Sequence, residues 1–522
     1  MENNNGKQLK IGSLLSYAQM ALSVIIGLVY TPIMIGKLGQ SEYGLYNTVS
    51  SIISMLSILN LGFNSSYVRY YSKYKKNNDT ESIYKLNGLL LIVFIVIGII
   101  ALLCGLFLSF NLPLVFDNGL TKKEYDIAKV LMLLLTANLA ISFPMSVFTS
   151  IITANERYIF LKGLSIIRTV CSPLVNIMIL FLGYRSIAMV TVSVSISLVV
   201  DVVYFIYVKF ILKNRFVFHG FEKGLFRSLF VYTSFIAINM IVDQINNSID
   251  KFLLGRFKGT TSVAIYSVGY TLYQYYMLFS TSVSNVFTPR IHMIIERTAQ
   301  NREMRRNELT NLFIKVGRVQ FLVLGLIASG IVFFGKPFIT FWAGVGYSEE
   351  AYYVAILLVL PVTIPMMQNI GIEIQRAENK HKFRSIVYLI MAIINLILSI
   401  FLCQKYGAIG SAIGTAISFV IANGFIMNVY YQKKCDINVL KFWGNILRMC
   451  LGLIVPIIVG ICIVEFINLY SMWKLFLFIF IYVIIYCASV WMFSMNLYER
   501  NLIKSAFRKV FIKVGRNKSG ND

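Results

Sequence analysis

Long apolar runs that contain no charged residue are the feature of this sequence that most restricts its fold. Nine runs of at least 20 residues lack Asp, Glu, Lys and Arg altogether, among them Ile11–Ile35, Leu86–Phe116 and Leu475–Tyr498. About 20 apolar residues are enough for an α-helix to cross the hydrocarbon core of a bilayer. Charged residues make up 14% of the chain, against about 25% in soluble proteins. The sequence therefore predicts an integral membrane protein.

Five further apolar runs complete the predicted set of membrane spans. Four of them, Leu164–Tyr184, Ser186–Val208, Ser228–Leu254 and Val319–Ala343, contain isolated charges, and the fifth is Met449–Val464. Runs of this length favour helices, because the strands of a membrane barrel are about ten residues long and alternate in polarity. We predict an all-α fold with fourteen transmembrane helices.

The distribution of basic residues predicts the orientation of these helices. If both termini face the cytoplasm, 36 of the 48 Lys and Arg residues fall in inner segments and nine fall in outer segments. Lys and Arg concentrate in cytoplasmic loops, so we expect the N-terminus and the C-terminus to lie inside. The same rule accounts for the net charge of +25. No nucleic-acid partner is expected.

The chain contains an internal repeat. Four short motifs recur after 219 to 223 residues, each at the end of a predicted span. The pairs are Ile35–Leu38 with Leu254–Phe257, Tyr43–Tyr46 with Val263–Tyr266, Ala154–Arg157 with Ala377–Lys380, and Tyr184–Ala188 with Tyr406–Gly410. Because six spans separate the copies, both halves begin on the same side of the membrane. Parallel repeats of this kind occur in secondary transporters, where they support alternating access.

The repeat divides the chain into four predicted parts. Residues 1–224 and 225–435 each form a six-helix bundle, and the two bundles are pseudo-symmetric. Residues 436–498 add transmembrane helices 13 and 14, and residues 499–522 form a basic amphipathic tail on the cytoplasmic surface. The basic residues that recur at helical spacing in the tail are Lys504, Arg508, Lys509 and Lys513.

Three stretches carry a resemblance to a known family. The hairpin IGKLGQSEYGLYNTVSSI begins at Ile35, and LNLGFNSSYVRYYSKYKKNN follows from Leu59. Together they resemble the N-terminal signature of Wzx-type polysaccharide repeat-unit flippases. The stretch SIDKFLLGRFKGTTSVAIYSVGY, from Ser248, is similar to the seventh and eighth helices of the wider multidrug/oligosaccharidyl-lipid/polysaccharide exporter superfamily. The predicted helix count and the repeat extend the resemblance to nearly the whole chain.

The resemblance implies an activity, a location and partners. A flippase of this type moves an undecaprenyl-pyrophosphate-linked oligosaccharide from the inner to the outer leaflet of the bacterial cytoplasmic membrane. The product serves O-antigen, capsule or exopolysaccharide assembly, beside a polymerase and glycosyltransferases, and ion coupling is expected. Lipid II flippases, a sister branch, typically carry basic residues in the first helix, and Ile11–Ile35 has none. A multidrug/cation antiporter of the same superfamily is the alternative function.

Three basic residues are candidates for binding the pyrophosphate of such a substrate. Arg168 interrupts span 5, Lys251 lies at the end of span 7, and Arg69 follows span 2. Charges inside a bilayer are costly and usually face a cavity or a partner, and guanidinium groups bind phosphate through paired hydrogen bonds. As alternatives, Arg168 extends to the membrane surface, and Arg69 only follows the preference of Arg for the cytoplasmic side.

Acidic residues within the spans are candidates for ion coupling. Asp243 and Asp250 are seven residues apart and therefore share one face of span 7, while Asp201 lies in span 6. We expect these carboxylates to line a cavity and to bind a coupling cation or a proton. The alternative is a local salt bridge with Arg256 or Lys251.

Four tyrosine side chains, one just after span 2 and three in span 8, are candidates for contacts with sugar rings. Tyr70 lies beside Arg69, and Tyr266, Tyr270 and Tyr273 share a face of span 8. The alternatives are an aromatic belt at the membrane surface for Tyr70 and core packing for the other three.

No catalytic constellation is evident in the sequence. Gly330–Lys336 has the spacing GxxxxGK, but Pro337 replaces the Ser or Thr that would hold magnesium, and the segment lies in a membrane span. Three His and seven scattered Cys residues favour no metal site. We therefore predict that the chain is not an enzyme and has no cofactor or metal.

Overall fold

The computed structural model describes residues 2–116, 120–221, 224–285, 287–378, 380–502 and 504–505. Within these ranges the regular structure is helical, without strands, which confirms the predicted all-α fold. The helices up to residue 285 are α1 (Glu2–Leu38), α2 (Gln40–Leu56), α3 (Phe63–Lys76), α4 (Thr80–Phe110), α5 (Leu112–Val115), α6 (Lys122–Ala154), α7 (Tyr158–Phe181), α8 (Ser186–Ile206), α9 (Leu225–Phe257) and α10 (Thr260–Asn285).

The remaining helices complete the described chain. They are α11 (Thr288–Arg297), α12 (Arg302–Trp342), α13 (Glu350–Met367), α14 (Ile370–Ala377), α15 (His381–Phe419), α16 (Met427–Lys434), α17 (Val439–Cys450), α18 (Ile454–Phe466) and α19 (Met472–Phe493). Short 3-10 turns occupy Ser57–Asn60, Val345–Tyr347 and Leu451–Leu453, and π-helical turns occupy Tyr207–Ile211 and Val420–Ile426.

Eleven helical segments of the described chain are long and apolar enough to cross a membrane. One of them, Lys382–Lys434, contains two predicted spans that meet at a kink at Gly407. Predicted spans 7 and 8 correspond to α9 and α10, which are not among the eleven. The chain is thus a multi-pass membrane protein, while the count of fourteen spans and the orientation of the termini stay predictions.

Local sequence signals set several helix boundaries. Gly39 has a φ of 79°, a conformation that favours Gly, and it separates α1 from α2. Gly62, with a φ of 80°, separates α2 from α3 inside a single predicted span. α6 begins with a capping box, in which Thr121 Oγ1 accepts a hydrogen bond from Glu124 N and the Glu124 carboxylate accepts one from Thr121 N.

Close packing of α4 on α6 depends on small residues in α4. A Cβ atom on Gly98 would overlap with the carbonyl oxygen of Ala140, and one on Gly105 would overlap with the side chain of Thr136. Lipid is as apolar as a protein core, so membrane helices associate largely through van der Waals packing, and small residues permit the closest approach.

Two compact units make up the described chain. The described residues of the first unit lie within Met1–Thr271 and Ser385–Ser418, and those of the second lie within Leu272–Arg384 and Phe419–Asp522. The apolar core of the first unit is built from α3, α4, α6 and α8, and a core of the second is built from α12, α18 and α19. The predicted division of the chain into residues 1–224, 225–435, 436–498 and 499–522, which rests on the sequence repeat, stays a prediction.

A buried ion pair fixes the start of the predicted tail in the second unit. Arg318 Nε and Nη2 on α12 lie 2.6 and 2.9 Å from the two carboxylate oxygens of Glu499. Arg318 Nη2 also donates to the carbonyl oxygen of Ser494 at 2.8 Å. Of the basic tail residues, Lys504 belongs to the described chain, whereas Arg508, Lys509 and Lys513 lie outside the described residues.

Candidate functional site

A buried carboxylate, Asp250 on α9, is the centre of a polar cluster in the first unit. Asp250 is 2% exposed. Tyr266 OH and Thr415 Oγ1 each donate to its Oδ2 at 2.8 Å, and Ser411 Oγ donates to its Oδ1 at 2.7 Å. Thr415 Oγ1 also lies 3.3 Å from Asn395 Oδ1. Oxygen atoms from α10 and α15 therefore surround the carboxylate.

The kink in α15 allows one helix to supply two sides of this cluster. Asn395 precedes the kink at Gly407, where φ is 57°, and Thr415 follows it. The two parts of α15 approach closely, because a Cβ atom on Gly414 would lie 2.8 Å from Ser399 Oγ. Glycines at the kink and at the close approach thus bring both parts of α15 against Asp250.

The surroundings of Asp250 differ from those of the other buried acids. Among the described residues, no basic side chain lies within 4 Å of its carboxylate. The other buried acids lie near arginines, in the pairs Glu42 with Arg185, Asp201 with Arg168, and Glu499 with Arg318. The hydrogen bonds described for Asp250 come from hydroxyl groups, and the alternative of a salt bridge with Arg256 or Lys251 stays a prediction. A buried carboxylate without a counter-charge is costly unless a cation or a proton neutralises it.

Lys251 turns towards an aromatic ring and away from its sequence neighbour Asp250. Its Nζ lies 4.7 Å from the ring centroid of Tyr270, a cation–π contact. Tyr270 OH donates to Asn247 Oδ1 at 2.7 Å, and the Tyr270 ring stacks on that of Tyr266 at a centroid distance of 5.9 Å. Three predicted substrate-binding residues thus lie together beside Asp250. The two tyrosines are buried, so their contact with sugar stays a prediction.

Two other predicted site residues have different surroundings. Tyr273 belongs to the second unit, where it is buried and its ring stacks on Phe419 at 6.5 Å. Asp243 lies two helical turns before Asp250 on α9 and is exposed. The two acids of α9 were expected to share one face, and the structure gives them opposite exposure.

Arg168 on α7 lies near Asp201 on α8. Ser165 Oγ on α7 lies 3.4 Å from Tyr204 OH on α8. Arg168 is one turn beyond Ser165, and Asp201 is one turn before Tyr204, so the antiparallel helices place them at the same level. The Asp201 carboxylate lies near the Arg168 guanidinium, and its Oδ2 has no hydrogen-bond partner among the described residues. Asp201 is buried, whereas Arg168 is exposed.

Arg69 and Tyr70, the remaining predicted site residues, lie on α3. Arg69 is exposed, and Tyr70 is partly buried against the core of the first unit. Neighbouring tyrosines of α3 belong to that core. Tyr67 OH donates to Asn87 Oδ1 and Tyr71 OH donates to Asn155 Oδ1, both at 2.7 Å. The core tyrosines of α3 therefore form a face that packs inside the first unit, and Arg69 lies outside this face.

Sequence reasoning missed the uncharged partners of Asp250. Ser411 and Thr415, which donate to Asp250, and Asn395, which contacts Thr415, lie inside apolar runs, where single hydroxyl or amide side chains are common and carry no charge signal. The one available signal is spacing: Ser411 and Thr415 are four residues apart, which places them on one helical face.

Comparison with known proteins identifies the family. The family described as "Polysaccharide biosynthesis protein" matches residues 10–295, which is more than half of the chain. The chain belongs to this family. Membership in the polysaccharide biosynthesis protein family confirms the resemblance drawn from the hairpin after Ile35 and the segment from Ser248.

Two curated relatives can be aligned with this chain over different shares of its length. The chain is 19% identical over 407 residues to a "Putative O-antigen transporter" of Shigella flexneri, covering 77% of this chain and 92% of that protein. It is 22% identical over 213 residues to the "Probable low-salt glycan biosynthesis flippase Agl15" of Haloferax volcanii, covering 40% of this chain and 42% of that protein.

Solved structures similar to this polysaccharide biosynthesis protein are transporters. An inward closed conformation of the lipid II flippase MurJ matches with a TM-score of 0.68 at 18% identity, over 94% of this chain and 99% of that one. An inward-facing multidrug resistance transporter of the MATE family matches with a TM-score of 0.54 at 14% identity, over 80% and 99% of the respective chains. At these identities the likeness shows the fold alone.

Proposed function

We propose that this chain is a flippase for a lipid-linked oligosaccharide. It moves an undecaprenyl-pyrophosphate-linked repeat unit from the inner to the outer leaflet of the bacterial cytoplasmic membrane by alternating access. Both termini face the cytoplasm, fourteen helices span the membrane, and a polymerase and glycosyltransferases act on the same glycan. The chain transports and does not catalyse a reaction.

The observation that carries this proposal is the family match over residues 10–295. Support for the substrate class comes from relatives that are named as an O-antigen transporter and a glycan biosynthesis flippase. The excess of Lys and Arg in the predicted inner segments supports the orientation.

The chemistry of the substrate decides what the protein must supply. The polyprenyl tail can stay in lipid, but the pyrophosphate loses water when it crosses, and that loss of hydration is costly. Fixed guanidinium and ammonium groups offset this cost by charge-assisted hydrogen bonds. We assign this role to Arg168, Lys251 and Arg69. The nearby carboxylate of Asp201 positions the Arg168 guanidinium in the absence of substrate.

Asp250 is the residue that best fits ion coupling. A cation or a proton at Asp250 neutralises a buried carboxylate that has only hydroxyl partners in the described chain. A ligand shifts a conformational equilibrium by its differential affinity for the two states, so an ion bound in one conformation can drive the cycle. The ion-coupling roles of Asp201 and Asp243 and the sugar contacts of the four tyrosines stay predictions.

Reconstitution tests the function directly. The purified chain is placed in liposomes that contain a fluorescent undecaprenyl-pyrophosphate-linked repeat unit, and a membrane-impermeant quencher reports the fraction in each leaflet. We expect this chain to equilibrate the lipid-linked glycan between leaflets faster than protein-free liposomes do. Lipid II serves as the matched substrate control, and we expect slower movement of it.

The antiporter alternative gives the opposite result in the same liposomes. Ion-driven uptake of an organic cation, with no movement of the lipid-linked glycan, would show that the chain is a multidrug/cation antiporter. In cells, depletion of the flippase should cause lipid-linked repeat units to accumulate on the inner leaflet. Unchanged surface glycan with new drug sensitivity would contradict the proposal.

A further inference from the structure

A cavity of about 530 Å³ lies in the second unit, where three membrane-spanning segments end or begin. It is lined by Lys336 and Pro337 near the end of α12, by Tyr352 at the start of α13, and by residues 464–470 at the end of α18 and beyond. The predicted orientation puts this cavity at the outer side of the membrane. Its volume falls within the range of about 300–1,000 Å³ that is typical of small-molecule sites.

Close helix packing forms the walls of this cavity. Tyr352 OH donates to the carbonyl oxygen of Val332 at 2.6 Å, and a Cβ atom on Gly335 would lie 3.1 Å from the Tyr352 ring, so α13 lies directly on α12. A Cβ atom on Gly460 would overlap with the ring of Phe333, so α18 also lies directly on α12. The cavity is therefore held between three packed helices.

The cavity carries one positive and one negative side chain. Lys336 Nζ lies 3.5 Å from Glu349 Oε1, and the two side chains are 41% and 69% exposed. Exposed ion pairs of this kind are weak, so Lys336 can exchange this partner for another anionic group. The exposed carboxylate of Glu465 lines the same cavity. Together they offer an ammonium group and a carboxylate to one ligand.

The rim of the cavity faces lipid. Phe466, the last residue of α18, is 84% exposed, and Tyr470 is 57% exposed. Large aromatic side chains at the end of a membrane span lie at the level of the lipid headgroups. The cavity therefore opens where a headgroup lies, and its lining is apolar beside the charged groups.

We propose that this cavity binds a membrane phospholipid whose headgroup carries a primary amine, as that of phosphatidylethanolamine does. Lys336 donates to the phosphate, and Glu465 accepts hydrogen bonds from the ammonium group. A zwitterionic headgroup satisfies both charged side chains of the cavity, whereas an anionic headgroup leaves the carboxylate without a partner. The acyl chains stay in the bilayer beside Phe466.

Native mass spectrometry of the purified full-length chain tests this inference in the absence of the lipid-linked glycan. Phosphatidylethanolamine is compared with phosphatidylcholine, which has no N–H donor, and with phosphatidylglycerol, which has no ammonium group. We expect wild type to bind phosphatidylethanolamine at least ~10-fold more tightly than either of the others. Equal affinities for the three lipids would overturn the inference.

Two substitutions that remove a charge assign the contacts. Glu465→Gln is expected to abolish the preference for phosphatidylethanolamine over phosphatidylcholine, and Lys336→Gln is expected to weaken binding of all three phosphates by about tenfold. Lys474→Gln is the matched control, because Lys474 is exposed and does not line the cavity. An unchanged lipid preference in Glu465→Gln, or an equal loss in Lys474→Gln, would contradict the assignment.

A third variant blocks the cavity without changing a charge. Val464→Trp replaces either charge variant that is not monodisperse, and it is expected to bind phosphatidylethanolamine no more tightly than phosphatidylcholine. Displacement of phosphatidylethanolamine by an equal concentration of the lipid-linked glycan would make the cavity a site for the transported substrate and would overturn the inference. Glycan movement in liposomes is scored separately, so a chain that shows the lipid preference and moves no glycan contradicts the proposed function instead.

Discussion

Two buried carboxylates, Asp250 in the first unit and Glu499 in the second, have opposite surroundings. Glu499 is 1% exposed and makes a two-point ion pair with Arg318 at 2.6 and 2.9 Å. Asp250 is 2% exposed and accepts hydrogen bonds from three hydroxyl groups, with no basic partner within 4 Å in the described chain. Both are fully removed from solvent, and they differ in whether the protein itself neutralises the charge.

The difference separates a structural acid, Glu499, from the acid to which we assign ion coupling, Asp250. Glu499 is neutralised within the protein, so its energy is the same whether or not a ligand is bound, and it joins the start of the tail to α12. Asp250 lacks this compensation, and its carboxylate is most stable when an external cation or proton is present. Buried ionisable groups without a partner in membrane segments are accordingly expected at sites that bind ions.

The largest effect is expected from removing the partner of Glu499. Arg318→Ala leaves a buried carboxylate uncompensated and should lower the free energy of unfolding by ~3–5 kcal/mol. Thermal unfolding of the purified chain in detergent measures this loss. Arg297→Ala is the control, because its pair with Glu308 is more exposed and exposed pairs contribute about 0–1 kcal/mol. Equal losses in the two variants would remove the distinction between them.

Removing the charge of Asp250 should have the opposite pattern, with function lost and stability kept. Asp250→Asn keeps the shape of the side chain and should reduce ion-stimulated glycan movement at least ~10-fold, a change of ~1.4 kcal/mol in coupling. Its thermal stability should equal or exceed that of wild type, because a buried unpaired charge is gone. Asp79→Asn, at the N-cap of α4 where Asn caps as well as Asp, is the control. Normal ion stimulation in Asp250→Asn would exclude Asp250 from coupling.

The proposed role of Arg168 in binding pyrophosphate is tested by removing its charge. Arg168→Ala removes a charge-assisted donor worth ~1.5–3 kcal/mol, so the half-saturating concentration of the lipid-linked glycan should rise ~10-fold or more. Arg168→Lys should recover part of this loss, because the charge returns without the paired geometry. Arg157→Ala, an exposed arginine just before α7, is the control. If Arg168 only reaches the membrane surface, all three variants should match wild type.

The smallest effect is expected from one hydroxyl of the Asp250 cluster. Tyr266→Phe removes one of the hydrogen bonds to the carboxylate, worth about 1 kcal/mol. The ion concentration that half-maximally stimulates glycan movement should change about fivefold, with maximal flux kept. Tyr352→Phe is the control, since that hydroxyl donates to the carbonyl oxygen of Val332 in the second unit. A larger effect in the control would show that packing, and not the cluster, is being measured.

Local sequence patterns determined which class of fold this protein has and which family it belongs to. The apolar runs, the offset of the repeat and the family motifs are properties of neighbouring residues, so membrane location, helical fold and family follow from them. Spacing also accounts for contacts within one helix: Glu373 and Arg376, three residues apart on α14, form an ion pair at 2.6 Å.

Tertiary structure decided which charges are neutralised and which are not. Ser411 and Thr415 lie 161 and 165 residues from Asp250 in sequence, and the kink at Gly407 helps to bring them against it. A serine in an apolar run has no local signature of its partner, because its partner depends on how distant helices pack. Sequence spacing therefore placed Asp243 and Asp250 on one face, and packing alone made Asp250 buried and Asp243 exposed.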